Sequence, residues 1–163
     1  QMTAINVLIM PRAVHVFCDG GHTDANGRVK YLGAKVFYMP NNNGLLTWTG
    51  RSRRGWEMAM AIDSDFALLD QGRLDDKPYS AVIARDGGAF VAAFQDDRDT
   101  IVLKPGQMVR SMKTDIDFDP NDIIGSGIAM MHDQKRRHGL VNGFIQYSRL
   151  TPAGFETRIL ERL

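Results

Sequence analysis

Cysteine is almost missing from this chain. Cys18 stands alone among 163 residues, so no disulfide can form within it and a secreted, disulfide-stapled scaffold is excluded. Net charge is nearly missing too: 20 Lys and Arg face 19 Asp and Glu, which leaves no strong field of either sign to gather nucleic acid or an anionic membrane surface. Proline is scarce, at 6 residues, and there is no low-complexity tract, which excludes collagen-like and Pro-rich disordered chains. No apolar run approaches the roughly 20 residues that a membrane-spanning helix needs. The N-terminus has neither the basic nor the apolar segment of a secretory signal. Nucleic acid and membrane are therefore not expected as partners, and the reducing cytoplasm is the expected compartment. Gln1 before Met2 is expected to be a tag remnant, with Met2 as the natural start.

What remains is an ordinary globule, 44% hydrophobic and 24% charged. Its length predicts one domain, residues 1–163, large enough to bury about two-thirds of its unfolded surface without a metal or disulfide staple. Residues 4–10 are apolar and β-branched and end at Pro11, which cannot continue a ladder. Residues 13–19 form a second apolar run, stopped by Gly20 and Gly21, so the pair predicts a hairpin. Residues 22–33 read as a loop. A second hairpin is expected from residues 34–39 and 45–49 around a turn rich in Asn.

From Ser52 the period changes, with Ala59, Ile62, Phe66 and Leu69 at helical spacing and Gly72 as a stop. Trp56 and Met60 are expected on an uncovered face of that helix, which predicts an interface in a homo-oligomer. Residues 79–85 and 89–94 flank Asp86, Gly87 and Gly88 as a further hairpin, and residues 100–103 and 108–112 read as short strands. Residues 114–122 read as an exposed loop. Residues 123–127 then open a helix over 128–138, whose basic end suits the helix dipole, and residues 143–150 and 155–160 read as closing strands. Sheets with helices outside them predict an α+β layered domain.

Polar groups at the ends of apolar strands are where chemistry is expected. Thr3 precedes the first strand, Asp19 ends the second, and Lys35 opens the third inside an apolar segment. Strands lying side by side bring such groups together at one end of a sheet, where a carboxylate holds an ammonium charged and in place. Sixteen positions separate Thr3 from Asp19, and sixteen more lead to Lys35.

With Thr23, with Gly125, Ser126 and Gly127 opening a helix, and with Trp48, Thr49 and Gly50 at a strand end, this spacing resembles the N-terminal-nucleophile (Ntn) hydrolases. The likeness is to the proteasome β subunit and its bacterial ATP-dependent protease homologue. The resemblance implies a pared-down αββα four-layer sandwich and a threonine peptidase or amide hydrolase that needs no cofactor. It implies Thr3 as nucleophile, Lys35 and Asp19 as its electrostatic support, Ser126 as a proton relay and the Gly50 N–H as oxyanion donor, with Thr23 and Trp48 at the substrate. It also implies a peptide or amide substrate, a homo-oligomer, and an ATP-dependent unfoldase as a possible partner.

Two departures from the family pattern matter. Each outer helical layer reads as reduced to one helix, and residues 143–163 offer no counterpart to the supporting Asp and Ser of the family. They motivate an alternative reading, a subunit that assembles without cleaving; a non-peptide amidohydrolase is a third. Other clusters carry less. His15, Asp19, His22 and Asp24 match no metal-ligand spacing, so no metal is expected. Strand alternation turns Cys18 away from His15, which predicts a buried, inert thiol rather than a nucleophile. Arg51, Arg53 and Arg54 read as a solvated helix end.

Overall fold

The computed structural model describes residues 3–49, 52–65, 80–86, 90–95 and 100–163. Strands β1 (Ile5–Met10) and β2 (Ala13–Asp19) form the expected hairpin around Pro11 and Arg12. They sit at the centre of a five-stranded antiparallel sheet, flanked by β10 (Met108–Arg110) on one side and by β11 (Phe144–Thr151) and β12 (Gly154–Arg162) on the other. A second five-stranded antiparallel sheet contains β5 (Val36–Met39), β6 (Gly44–Thr49), β7 (Ser80–Asp86), β8 (Phe90–Gln95) and β9 (Thr100–Leu103), in that order. The stretch expected as a loop, residues 22–33, instead contains a small hairpin of β3 (Gly21–Thr23) and β4 (Val29–Leu32). All four β4 residues are exposed, so the stretch has no alternation of burial to betray a strand.

The sheets stack on Ile5, Val7, Ile9, Val14, Val16 and Cys18 of the first and Leu45 and Ala84 of the second. The opposite faces are covered as well. Helix α1 (Ser52–Ser64) places Met58, Ala59 and Ile62 on Met39, Leu46 and Trp48, and α2 (Ile123–His138) places Met131 beside Ala4, Phe17 and Tyr147. Burial from both sides is why β1 and β2 read as continuous apolar runs rather than as an alternation. Phe66, Leu69, Gly72, Gly87 and Gly88, which entered the helix and turn readings, lie outside the described residues.

The expectation of an α+β, four-layer αββα sandwich is overturned. The protein is a small β-rich fold, mostly antiparallel sheet, with two helices among the described residues. The chain order gives the reason. After each helix the next described element is a strand, β7 after α1 and β11 after α2, so among the described residues strands make up most of the fold and each outer face carries a single helix.

Helix α2 also starts earlier than its sequence suggests, at Ile123. Asp122 caps it by accepting from the Gly125 N–H at 3.0 Å, satisfying a donor that the first turn leaves free. Gly127 is there for packing: a Cβ would lie 2.3 Å from the Phe17 ring. The helix ends at Gly139 in the left-handed region, φ 54°, whose N–H caps the Lys135 carbonyl.

His15 shows what burial does to a base in this sheet. It lies on β2 opposite Arg149, stacks on Tyr147, and shares a 2.7 Å hydrogen bond between Nδ1 and the Tyr147 hydroxyl. Burial first, and the Arg149 charge second, lower its pKa to about 4. The folded chain therefore holds His15 neutral while the unfolded chain protonates near 6.5, so stability is lost as pH falls from about 6.5 to about 4. We expect the wild type to lose about 3 kcal/mol more than His15→Gln over that window, measured by urea denaturation at about pH 7, 5.5 and 4. Parallel losses in the two proteins would contradict this.

Candidate functional site

Three polar side chains meet at one end of the sandwich. Thr3 stands two residues before β1, Asp19 closes β2, and Lys35 stands one residue before β5, so the first two come from one sheet and the third from the other. Lys35 Nζ donates to Asp19 Oδ1 at 3.1 Å and to Thr3 Oγ1 at 3.4 Å. All three residues are more than nine-tenths buried, Asp19 completely.

The backbone around the trio is pinned by its neighbours. Asp19 Oδ1 also accepts from the Ala4 N–H at 3.0 Å, and its Oδ2 from the Asn142 N–H at 3.3 Å. The Ser111 hydroxyl donates to the Thr3 carbonyl at 2.5 Å and accepts from the Ile5 N–H at 2.7 Å. Thr47 Oγ1 donates to the Lys35 carbonyl at 2.8 Å and lies 3.4 Å from Cys18 Sγ. Gly20 permits the tight exit from Asp19: a Cβ there would lie 2.2 Å from the Phe144 ring.

Charge in this site is set by burial against partners. Burial, the largest influence, holds the Asp19 carboxyl above the usual carboxylate range, and the Lys35 ammonium and the two backbone donors offset it only in part. Each interaction favours the carboxylate once the pair is formed. His22, beside the site, is kept on the neutral side first by burial and then by the Lys35 charge. Cys18 is buried, as strand alternation predicts, and its thiol is pushed up to about 12, chiefly by desolvation.

A cavity of about 280 Å³ is lined by His22, Tyr31, Gly33, Ala34, Trp48, Arg53 and Trp56, and no member of the trio is in its lining. His22 stacks on Tyr31 at 4.3 Å between ring centroids, and its Nε2 lies 3.2 Å from the Gly33 carbonyl oxygen. Trp48 is buried beneath α1 with its ring in the lining, whereas Trp56 is half exposed. Thr23 is buried at the end of β3.

The hydrogen bonds described for Ser126 are to its own helix terminus. Its hydroxyl donates to the Asp122 and Ile123 carbonyls and accepts from the Asp119 N–H, which makes it part of the first turn of α2. Gly50 lies outside the described residues, as does Arg51. The four residues weighed as metal ligands have separate occupations: His15 with Tyr147, Asp19 with Lys35, His22 with Gly33, and Asp24 with the Asn26 and Arg28 N–H groups. Among the described residues no group of three such side chains is arranged to hold a metal ion, and no helix is long and apolar enough to cross a membrane.

Sequence reasoning missed Thr47, Ser111 and Asn142. Thr47 had a signal, since it is a polar residue on the same strand face as Leu45, toward the other sheet. Ser111 and Asn142 had none, because each acts through chain separations beyond 100 residues.

No protein-family model matches the chain, and no curated protein matches it at a significant level.

The buried pair makes a direct prediction. Breaking such a pair from one side typically costs about 3–5 kcal/mol, because the other charge stays buried alone. Lys35→Met should fall in that range by urea denaturation, and adding Asp19→Asn should recover part of the loss. Strictly additive costs would show that the two charges do not depend on each other.

Proposed function

We propose that the chain, once Thr3 is its first residue, is a threonine-nucleophile hydrolase of peptide or amide bonds. The observation that carries this reading is the Lys35 ammonium, held by Asp19 and placed 3.4 Å from the Thr3 hydroxyl in a buried site. Stability alone gives little reason for that arrangement, since well-packed apolar residues usually serve a core as well as a buried ion pair does. The likeness of Thr3, Asp19 and Lys35 in type and spacing to the Ntn hydrolases supports the same reading.

The chemistry comes from the positions. A threonine hydroxyl is a poor nucleophile until a base takes its proton. The α-amine of an N-terminal Thr3, with an ordinary pKa of about 7.7–8.0, is such a base near neutral pH. It accepts the Oγ1 proton as Oγ1 adds to the amide carbonyl, and Lys35 stabilises the oxygen as it becomes alkoxide-like. Collapse of the tetrahedral species breaks the C–N bond, and the leaving nitrogen takes up the proton held on the Thr3 α-amine. Water, deprotonated by the same amine, then adds to the Thr3 ester, and the C–Oγ1 bond breaks as Oγ1 recovers that proton and the acid leaves. The contacts that fix Thr3, through its own carbonyl and through the Ala4 N–H, all lie on the C-terminal side of its nitrogen. Release of Met2 leaves them in place.

The aromatic cavity, reached in the chain by Ala34 one residue before Lys35, suits an apolar or aromatic side chain of the substrate. The lone, buried Cys18 suits a reducing, cytoplasmic setting. A homo-oligomer that encloses its nucleophiles, fed by an ATP-dependent unfoldase, belongs to the same reading through the resemblance.

The test compares four proteins on a panel of fluorogenic peptide amides: a chain beginning at Thr3, one retaining Met2, and Thr3→Ala and Lys35→Ala in the processed form. We expect hydrolysis by the first alone, with a loss of at least about 100-fold for Lys35→Ala and no further loss when the two substitutions are combined. Thr3→Ser should keep measurable activity. Equal hydrolysis by the Thr3→Ala protein would remove Thr3 from the mechanism. No hydrolysis by the processed chain would favour the subunit that assembles without cleaving.

A further inference from the structure

The last strand is a long free edge. Among the described residues β12 pairs only with β11, and its nine residues include no proline to block a further ladder. Exposed edges of this length are usually blunted, because their unpaired N–H and C=O groups template pairing with another chain. This edge is interrupted at one end only. The register with β11 steps from Glu161 to Ile159, leaving Leu160 as an extra residue that twists the strand. The regular segment facing solvent is therefore residues 155–159.

That five-residue segment is complementary to itself. Glu156 and Arg158 lie on one face, opposite Arg149 and Tyr147 of β11, and Phe155, Thr157 and Ile159 lie on the other, opposite Leu150, Ser148 and Gln146. An antiparallel pair related by a two-fold axis perpendicular to the sheet keeps each face to itself. With that axis at Thr157, Glu156 meets Arg158 of the second copy, Arg158 meets its Glu156, and Phe155 meets its Ile159. Moving the axis to Arg158 sets arginine on arginine, and moving it to Glu156 sets glutamate on glutamate. Opposed charges favour a cross-strand pair and like charges disfavour it, so the neighbouring registers are selected against. Ile159 is 62% exposed in the single chain, and in this register it lands beside a half-buried Phe155 that already stacks on Tyr38.

We propose that β12 pairs with β12 of a second copy of this chain, about a two-fold axis through Thr157. The two five-stranded sheets then become one ten-stranded sheet, within the size that open sheets reach, and the interface is isologous and closed. The proposal rests on this edge and is independent of the chemistry at Thr3.

Light scattering and sedimentation of the full chain at about 100 µM should give twice the 18.2 kDa chain mass. Arg158→Glu and Glu156→Arg, both at exposed positions, should each weaken the dimer at least about 10-fold. The double charge reversal should restore it. Directly opposed antiparallel residues have Cα atoms about 4.5–5.5 Å apart, which a disulfide spans. Thr157→Cys should therefore crosslink to itself on mild oxidation, while Arg162→Cys should not. Circular dichroism of each variant establishes that it is folded. A monomeric wild type, a dimer indifferent to both single reversals, or failure of position 157 to crosslink would overturn the proposal.

Discussion

A single ammonium ties the two sheets of this protein together at the end where the chain begins. Lys35 belongs to the sheet of β5 and β6, yet its Nζ is held by Asp19 of β2 and touches Thr3 ahead of β1. Everything nearby is arranged to keep that reach in register. Thr47 holds the Lys35 carbonyl, Ser111 holds the Thr3 carbonyl, and the Ala4 and Asn142 N–H groups occupy two further acceptor sites of Asp19. A carboxylate and an ammonium out of water are tolerated only when such partners are complete. The precision of the site is in that sense a condition of the fold's stability.

The rest of the sandwich is apolar and conventional, and this isolates the site. Between the sheets the contacts are mainly apolar, with Ile5, Val7, Ile9, Val14 and Val16 against Leu45 and Ala84 and with Phe155 stacked on Tyr38. Polar side chains beneath α2 are satisfied among themselves: Asn6 and Gln134 exchange two hydrogen bonds of 2.7 Å, and Thr114 donates to Asp133 at 2.7 Å. Asp133 is held at about 2, first by that hydroxyl, and pairs with Arg136 and Arg137 in the last turns of the helix. These networks dock α2 and expose no reactive group. At Thr3, by contrast, a hydroxyl with a proton to lose meets a buried positive charge.

Strand identity was largely legible from sequence because both faces of β1 and β2 are buried, so that apolar runs ending at Pro11 and Gly20 mark their limits. The site was legible for a related reason: Asp19 and Lys35 interrupt apolar strands at their ends, where a buried charge requires a partner. The architecture was not legible. The αββα expectation came from the resemblance, and resemblance of a few spaced residues constrains their local geometry without constraining the layers outside them. The hairpin of β3 and β4 escaped because Val29, Tyr31 and Leu32 are all exposed, leaving no periodicity. The start of α2 escaped because glycine is a poor helix former. Gly127 is present for its close approach to Phe17, a contact between distant parts of the chain. Ser126 drew attention as a proton relay through the same local motif, and its bonds serve the helix terminus.

The central claim is that Lys35, held by Asp19, makes the Thr3 oxygen a nucleophile. The most direct measurement is acylation by a small β-lactone, read by intact mass and by mapping the modified peptide. A chain beginning at Thr3 should gain one equivalent of the acyl group on Thr3, and a folded Lys35→Met chain should gain essentially none. Equal labelling with and without Lys35, or labelling that maps elsewhere, would contradict the account.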